Sequence, residues 1–397
     1  MYLSHVVNSD SLIVPKNFEK LSVNKLLTDM KLLSMLDSGC ISYSPLLARI
    51  KHRIEKICMD SASQYGFNEV ILPMLMQKQL LEKSGKLADY SAEFYFFDKP
   101  HEKSVLVPTT EEPIIQMLMH GGLKSYKQLP MRFSQLSNVY RHLKRSEGLY
   151  KSREISCVVL TSADFDQQAF LNTVEDFKKI CSNSFKKMGI PSFYVQDEKS
   201  GAIEYMFETE SADRPLNKSV IRRYSSDQPL PDDDKSYGSL SMGYPFYQSK
   251  NFDLTFDSPD GKKMKPVIGT FGIGTQRCVY ALFEKARNQK EKAFTKDVRP
   301  FDVMLVQVGK ESDKIQSNIS QIKEQLEDSG LSVVVDDRPI GIQDKLALSE
   351  FLSIPSRILV GKKEAETGSF TMKDLAQRTT NSRLSDIIQQ SRILSKE

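Results

Sequence analysis

The pattern of apolar and polar residues changes character near residue 300 and divides the chain in two. Beyond that point it is regular. FDVMLVQV (301–308), LSVVVDD (331–337) and SRILVG (356–361) are continuous apolar runs bounded by turn residues, the signature of buried strands. Residues 312–328 place apolar side chains at helical spacing up to Gly330, which predicts an amphipathic helix. A helix over 343–352, a fourth strand over 368–375 and a closing helix over 382–393 complete the pattern. Strands alternating with helices predict a compact α/β unit in three layers, 298–397. The charged, aperiodic stretch from Lys285 to Pro300 separates it from a first domain, 1–290.

The first domain mixes its elements less regularly. Helices are predicted over 45–64 and 165–188; in the second, Phe170, Val174, Phe177, Cys181, Phe185 and Met188 form a stripe suited to a core, and Gly189 supplies the stop. Strands are predicted over 68–76, 104–110, 132–140 and 155–161. The last two flank KRSEGLYKSR, which reads as an antiparallel hairpin with a long basic loop. The polar tract at 225–238 reads as a surface loop, and no internal repeat is evident.

Composition narrows the class. Among 397 residues, 40% are hydrophobic and 27% charged, the balance of a globular protein, and no apolar run is long enough for a membrane span. A net charge of +4 excludes a polybasic binder but permits a local basic groove. The five cysteines are scattered without a C-x-x-C, and the five histidines all lie in the first 142 residues, so neither a zinc finger nor a disulfide framework is expected. The first arginine is Arg49, preceded by Asp10, Glu19 and Asp29; this is not an Arg-rich, acid-poor presequence, so any import signal has been removed or is atypical.

Three stretches could carry chemistry. From Gly121 to Ile155 there are eight basic residues against two acidic, more excess charge than the whole chain has. Arginines there suit phosphate oxygens, because the planar fork binds two at once; a solvated basic loop is the plain alternative. GTFGIGTQR (269–277) is a strand-like glycine segment before a helix opened by Arg277, whose glycines would let a ligand or a neighbouring backbone approach closely; a glycine-led tight turn is an equally good alternative. It is not the dinucleotide fingerprint. PTTEEP (108–113) sets two hydroxyls and two carboxylates at a strand end, suited to gripping an ammonium group or to capping a helix through Thr109 or Thr110.

In this order the stretches resemble the class II aminoacyl-tRNA synthetases, and among them the prolyl enzymes. NEVILPMLMQKQLLEKSGK is similar to motif 1, with Pro73 at the dimer interface; SYKQLPMRFSQLSNVYRHLKRSEGLYKSREI is similar to motif 2 and GTFGIGTQR to motif 3. VPTTEEPI resembles the loop that holds the amino acid, and VVVDDRPIGIQDKLALSEFLSIPSRILVGKK the anticodon-binding domain. The resemblance implies an α+β catalytic domain built on an antiparallel sheet, followed by a small α/β anticodon-binding domain. It implies a homodimer that uses ATP with Mg²⁺ to make prolyl-adenylate and then charges tRNA-Pro. Arg141 would hold the α-phosphate and Arg277 the γ-phosphate, with Arg153 and Glu154 beside the adenylate. Glu111 would receive the proline imino group with help from Thr109, and Asp337, Arg338 and Lys345 would lie on the anticodon-reading surface. The form without an editing insertion is that of mitochondria and some bacteria, which makes the mitochondrial matrix the expected compartment and the cytoplasm the alternative.

Some positions depart from the family pattern. Leu143 stands where motif 2 has a glutamate, Ile155 where an adenine-stacking aromatic is usual, and Cys157-Val158-Val159 where Met-Lys-Asp follows. Glu204-Tyr205-Met206-Phe207 replaces the usual Ser-His-Glu-Phe of the proline pocket, and Glu-x-Gly-His is not recognisable near Ser239 to Tyr244. These changes favour a second reading: a synthetase-like nucleic-acid-binding protein without adenylation activity, as in accessory subunits of mitochondrial DNA polymerases. Retention of Arg141, Arg277 and Glu111 favours the enzyme.

Overall fold

The structure, a computed structural model, describes residues 1–6, 12–99, 102–197, 201–209, 224–225, 236–288 and 294–396. The chain forms two compact units: Leu36–Ile41 with Ile54–Ala281, and Met1–Met35 with Ser42–Arg53 and Leu282–Glu397. They do not follow the 1–290 and 298–397 division, because the N-terminal segment joins the C-terminal unit. Val335 N–H donates to the Met1 carbonyl (2.8 Å), Tyr2 bridges Val335 in parallel, and Ser4 binds Asp337 through its N–H (2.9 Å) and its hydroxyl (2.5 Å).

The larger unit is built on an eight-stranded sheet. Its order is Tyr224–Ser225, Phe193–Asp197, Ile203–Glu208, Tyr237–Pro245, Val267–Gly274, Glu154–Asp164, Met131–Tyr140 and Asn68–Glu69. Every pairing is antiparallel except the last, where Asn68–Glu69 runs parallel to Met131–Tyr140. The expected basic hairpin is present, with Tyr140 opposite Glu154 at its mouth. The helix Gln167–Met188 lies against one face; Asp166 caps its first turn by accepting from Ala169 N–H (2.8 Å), and Gly189, at φ 72°, ends it. Its apolar stripe is core, as the spacing predicts: Phe177 meets Phe271 at 4.6 Å between ring centroids.

Two predicted strands are shorter than expected. The run 68–76 breaks because Pro73 has no N–H to pair. Asn68–Glu69 stays on the main sheet, while Leu75–Gln77 joins a separate sheet with Glu102–Leu106 and Phe96–Lys99. The run 104–110 ends at Leu106, and the helix Glu111–Gly121 follows. Of the polar tract at 225–238, residues 226–235 lie outside the described residues, and Tyr237 and Gly238 begin a strand rather than a loop.

In the C-terminal unit, Val333–Asp336, Val303–Gln307 and Ser356–Val360 are parallel neighbours, extended antiparallel by Ser369–Asp374 and Thr379–Arg383. The helices Asp313–Asp328 and Leu384–Leu394 bury Ile315, Ile319, Ile322 and Ile387 against Val303, Leu305 and Ile358. No helix of the described residues is long and apolar enough to cross a membrane.

Candidate active site

The Val267–Gly274 strand shows how one element serves two purposes. Successive residues point to opposite faces. On the helix side, a Cβ at Gly269 would sit 2.4 Å from Cε2 of Phe170, so glycine there lets helix and sheet close up. On the other side Thr270, Gly272 and Gly274 line a cavity of about 240 Å³, and a Cβ at Gly272 would meet nothing nearer than a carbonyl oxygen at 4.0 Å. Gly269 thus serves close packing and Gly272 leaves room in the cavity wall, and the segment is a continuous strand, not a tight turn.

One end of this cavity is acidic. Thr110 occupies the N-cap position of the helix Glu111–Gly121 but its side chain caps nothing, and Thr109 instead donates to Glu112 Oε2 (2.7 Å). Glu111 and Glu112 are both buried in the first helical turn, where the N-terminal dipole favours negative charge. Tyr244 donates its hydroxyl to Glu111 Oε1 at 2.6 Å. Lys86 Nζ lies 3.2 Å from Glu111 Oε2, 3.1 Å from Glu112 Oε1 and 3.1 Å from Thr109 Oγ1. Burial alone would raise the Glu111 carboxyl, but the Lys86 ammonium, the Tyr244 hydroxyl and the backbone outweigh it and hold that carboxyl well below the usual carboxylate range. Tyr244 itself is pushed well up by burial and by the facing Glu111 carboxylate.

The same cavity also carries cations. Arg141 and Arg277 both line the cavity. Arg141 stands where the hairpin opens into its loop, its N–H bonded to the Arg153 carbonyl (2.8 Å). Arg277 opens the helix Thr275–Asn288; it donates from Nε to the Tyr150 carbonyl (3.2 Å) and from Nη1 to the Ser239 carbonyl (3.1 Å), with its guanidinium 4.9 Å from the Tyr150 ring centroid. Two of its five donors are thus spent on orientation. The neighbouring Gln276 fixes the hairpin against this helix. Its Oε1 accepts from Ser156 N–H (2.9 Å), and its Nε2 donates to the Leu149 carbonyl (3.0 Å) and to Ser152 Oγ. Val139, Ile155, Cys157, Val159, Leu240 and Met242 supply an apolar wall.

Thr109, Glu111, Arg141 and Arg277 therefore converge as expected from the sequence. Arg153 and Glu154 do not line the cavity. The stem of Arg153 packs on Gly39, whose own φ is 77°, and Glu154 is exposed, accepting from Asn138 Nδ2 (2.8 Å) and the Tyr140 hydroxyl (3.3 Å). Lys86, Tyr244 and Gln276 were not singled out from the sequence. Pro73 is exposed, next to Ile71 (93% exposed), Met74 (56%) and Leu75 (50%).

In the C-terminal unit, Arg338 and Lys345 are not surface groups. Arg338 is fully buried and forks onto Asp336, Nε to Oδ1 at 2.8 Å and Nη2 to Oδ2 at 2.6 Å, with Nη1 on the Leu12 carbonyl. Lys345 donates to the carbonyls of Gln307 (2.9 Å) and Asp336 (3.1 Å). Asp337, half-buried, is held by Ser4. All three line a second cavity of about 820 Å³, whose wall includes Tyr2, His5 and Lys310.

Comparison with known proteins agrees with this arrangement. Residues 93–286 match the tRNA synthetase class II core domain (G, H, P, S and T), and residues 302–389 match the anticodon binding domain. The chain belongs to the class II aminoacyl-tRNA synthetases. Its relatives there are proline–tRNA ligases: that of Zymomonas mobilis is 23% identical, with 89% of this chain and 90% of the relative aligned. That of Agrobacterium fabrum is 22% identical (91% and 92%), and that of Ehrlichia canis 26% identical (84% and 86%). Among solved structures, prolyl-tRNA synthetase of Cryptosporidium parvum, complexed with halofuginone and AMPPNP, has a TM-score of 0.76 at 15% identity, over 97% of this chain and 79% of that one. The Giardia lamblia enzyme in complex with prolyl-adenylate gives 0.71 at 16%, over 97% and 81%.

Proposed function

We propose that this chain is a proline–tRNA ligase, which joins proline to ATP as prolyl-adenylate and then passes the prolyl group to the 3′-terminal ribose of tRNA-Pro. The observation that carries this reading is one cavity lined both by a buried, ion-paired carboxylate, Glu111, and by two arginines, Arg141 and Arg277. Proline enters with its protonated imino group toward Glu111 and its carboxylate toward Arg141. ATP lies along the apolar wall with its phosphates between Arg141 and Arg277. Attack of the proline carboxylate on the α-phosphate expels pyrophosphate, and no protein nucleophile takes part. The protein contributes orientation and charge neutralisation.

The departures from the family pattern fit the same pose. Ile155 contributes apolar surface where an aromatic ring would stack, so adenine is held by burial. Mg²⁺ would ride on the nucleotide. Among the described residues, Glu111 is the one carboxylate lining the cavity and is already engaged, and no cluster of three or more acidic, His or Cys side chains suited to a metal occurs. Such an ion takes most of its oxygens from phosphates and water. The second cavity is the proposed anticodon site, with Asp337 at its rim and Arg338 and Lys345 building its floor. The C-terminal hundred residues balance 14 basic against 15 acidic, so tRNA contact there is local rather than a broad phosphate attraction. The exposed apolar side chains around Pro73 support a homodimer, and the compact form without an editing insertion supports the mitochondrial matrix.

The test is proline-dependent ATP–pyrophosphate exchange by the purified chain, with Arg141→Ala as the control. Exchange that needs proline and is lost in the variant is expected. A folded protein that shows none with any amino acid overturns the reading and leaves the nucleic-acid-binding alternative.

A further inference from the structure

Lys86 has an environment that packing does not explain. Gly85, at φ 84°, ends the short helix Lys78–Ser84 in the left-handed conformation that favours glycine, and turns the chain so that Lys86 starts the next one. The Lys86 side chain is only 11% exposed. Its Nζ donates to Thr109 Oγ1 (3.1 Å) and Glu111 Oε2 (3.2 Å), is ion-paired with Glu112 Oε1 at 3.1 Å, and lies 4.5 Å from the Phe246 ring centroid. Glu111 and Glu112 are consecutive and buried, with side-chain exposures of 5% and 0%. Two adjacent buried carboxylates repel, and without a cation between them one takes up a proton. Counted formally, two carboxylates against one ammonium leave one negative charge, beside the cavity that Glu111 lines.

We infer that Lys86 is a positioning residue for the amino-acid substrate: it holds Glu111 and Glu112 as a paired dicarboxylate whose single net negative charge selects the protonated secondary amine. This rests on the functional reading above and deepens it. Among the described residues, the other charged and titratable groups near the cluster are Tyr244, which donates to Glu111, and Arg141, whose charge acts on Tyr244. Tyr244, whose hydroxyl is pushed well up, stays protonated at working pH and brings no positive charge, so it cannot take over the role of Lys86. A protonated Glu111 offers the substrate a weaker, neutral acceptor, or a proton pointed at a cation.

The experiment measures the KM for proline and for ATP in pyrophosphate exchange, at pH 6 and pH 8, for wild type, Lys86→Met and Lys86→Arg. In the wild type the proline KM is expected to be nearly independent of pH over this range. Lys86→Met should raise it roughly ten- to a hundredfold, the loss of one charge-assisted contact. The loss should be larger at pH 6, where the unpaired carboxyls hold a proton, while the ATP KM stays within about threefold of wild type. Lys86→Arg restores the charge and should restore the flat pH profile even where its planar fork fits three acceptors less well. If the methionine variant does not fold, Lys86→Gln carries the same test. A proline KM unchanged in the variant, one raised equally at both pH values, or an ATP KM that rises in parallel would each overturn the inference. Absence of proline-dependent exchange in the wild type itself would instead overturn the functional reading, and the inference with it.

Discussion

Gln276 is the side chain on which both halves of the phosphate end depend, and removing it gives a quantitative expectation. It is 2% exposed and makes three hydrogen bonds, to Ser156 N–H, the Leu149 carbonyl and Ser152 Oγ. Gln276→Ala leaves the buried Ser156 N–H and Leu149 carbonyl without these partners. An unsatisfied buried group costs about 1–3 kcal/mol; Ser156 N–H bears this cost while Leu149 keeps a further interaction, so about 1–3 kcal/mol of destabilisation is expected. The same change frees the stretch whose next residue, Tyr150, orients Arg277 through its carbonyl. The KM for ATP should therefore rise more than the KM for proline, because the carboxylate end of the cavity is anchored elsewhere.

Gln276→Glu separates the donor from the acceptor role. Its carboxylate can still accept from Ser156 N–H, but it turns an oxygen toward the Leu149 carbonyl, where two acceptors repel. Protonation relieves this, so the folded state raises the pKa of the new carboxyl above its unfolded value near ~4.3. Stability relative to wild type is then best at acid pH and falls as pH rises toward the folded pKa, the reverse of a salt-bridged carboxylate. Urea unfolding followed by circular dichroism, with KM values from exchange assays, checks both variants. An alanine variant within about 1 kcal/mol of wild type, whose two KM values move together, would refute the assignment of Gln276 as the link between hairpin and helix.

Two further substitutions test the placement of residues rather than their chemistry. Arg338→Ala should destabilise the C-terminal unit by about 3–5 kcal/mol, because it strands Asp336 in the interior; the loss of tRNA charging should track the unfolded fraction, and exchange without tRNA should survive wherever the larger unit stays folded. On the Val267–Gly274 strand, Gly269→Ala should cost about 1–3 kcal/mol of stability by overpacking against Phe170. Gly272→Leu, facing the open cavity, should instead leave the unfolding midpoint nearly unchanged and block ATP binding, as isothermal titration with a non-hydrolysable ATP analogue would report.

How much of this was legible in the sequence depends on the range over which each feature is decided. The parallel strands of the C-terminal unit are read directly, because Val303–Gln307 and Val333–Asp336 are buried on both faces and their apolar runs say so. Thr379–Arg383 escapes the same reading. It is a polar edge strand, TTNSR, whose only reason to be extended is its antiparallel neighbour Ser369–Asp374. The basic hairpin, the acidic helix start and the glycine strand are equally local, so Arg141, Glu111 and Arg277 could be placed from motif and charge. Their supports could not. Tyr244 lies 133 positions from the Glu111 it bonds, and Gln276 lies 120 from Ser156.

Arg338 and Arg277 show the limit most clearly. Both are arginines at the end of a motif, and sequence assigns both to a nucleic-acid or nucleotide surface. Arg277 gives two of its donors to backbone carbonyls and still lines a cavity, where its remaining charge can act on a ligand. Arg338 also borders a cavity, but its fork meets a carboxylate two residues earlier in the chain and its Nη1 a carbonyl from the N-terminal segment, so its charge is matched in place. The difference is set by Asp336. A planar guanidinium within reach of a buried carboxylate takes it bidentately, since leaving either charge unpaired there would cost several kcal/mol. Among the described residues no acidic side chain competes in this way for Arg277: its bonded neighbours are carbonyl dipoles, which orient the guanidinium without neutralising it. A functional arginine in this fold is therefore recognised by what it is denied as much as by its motif, and the denial is a property of the folded chain.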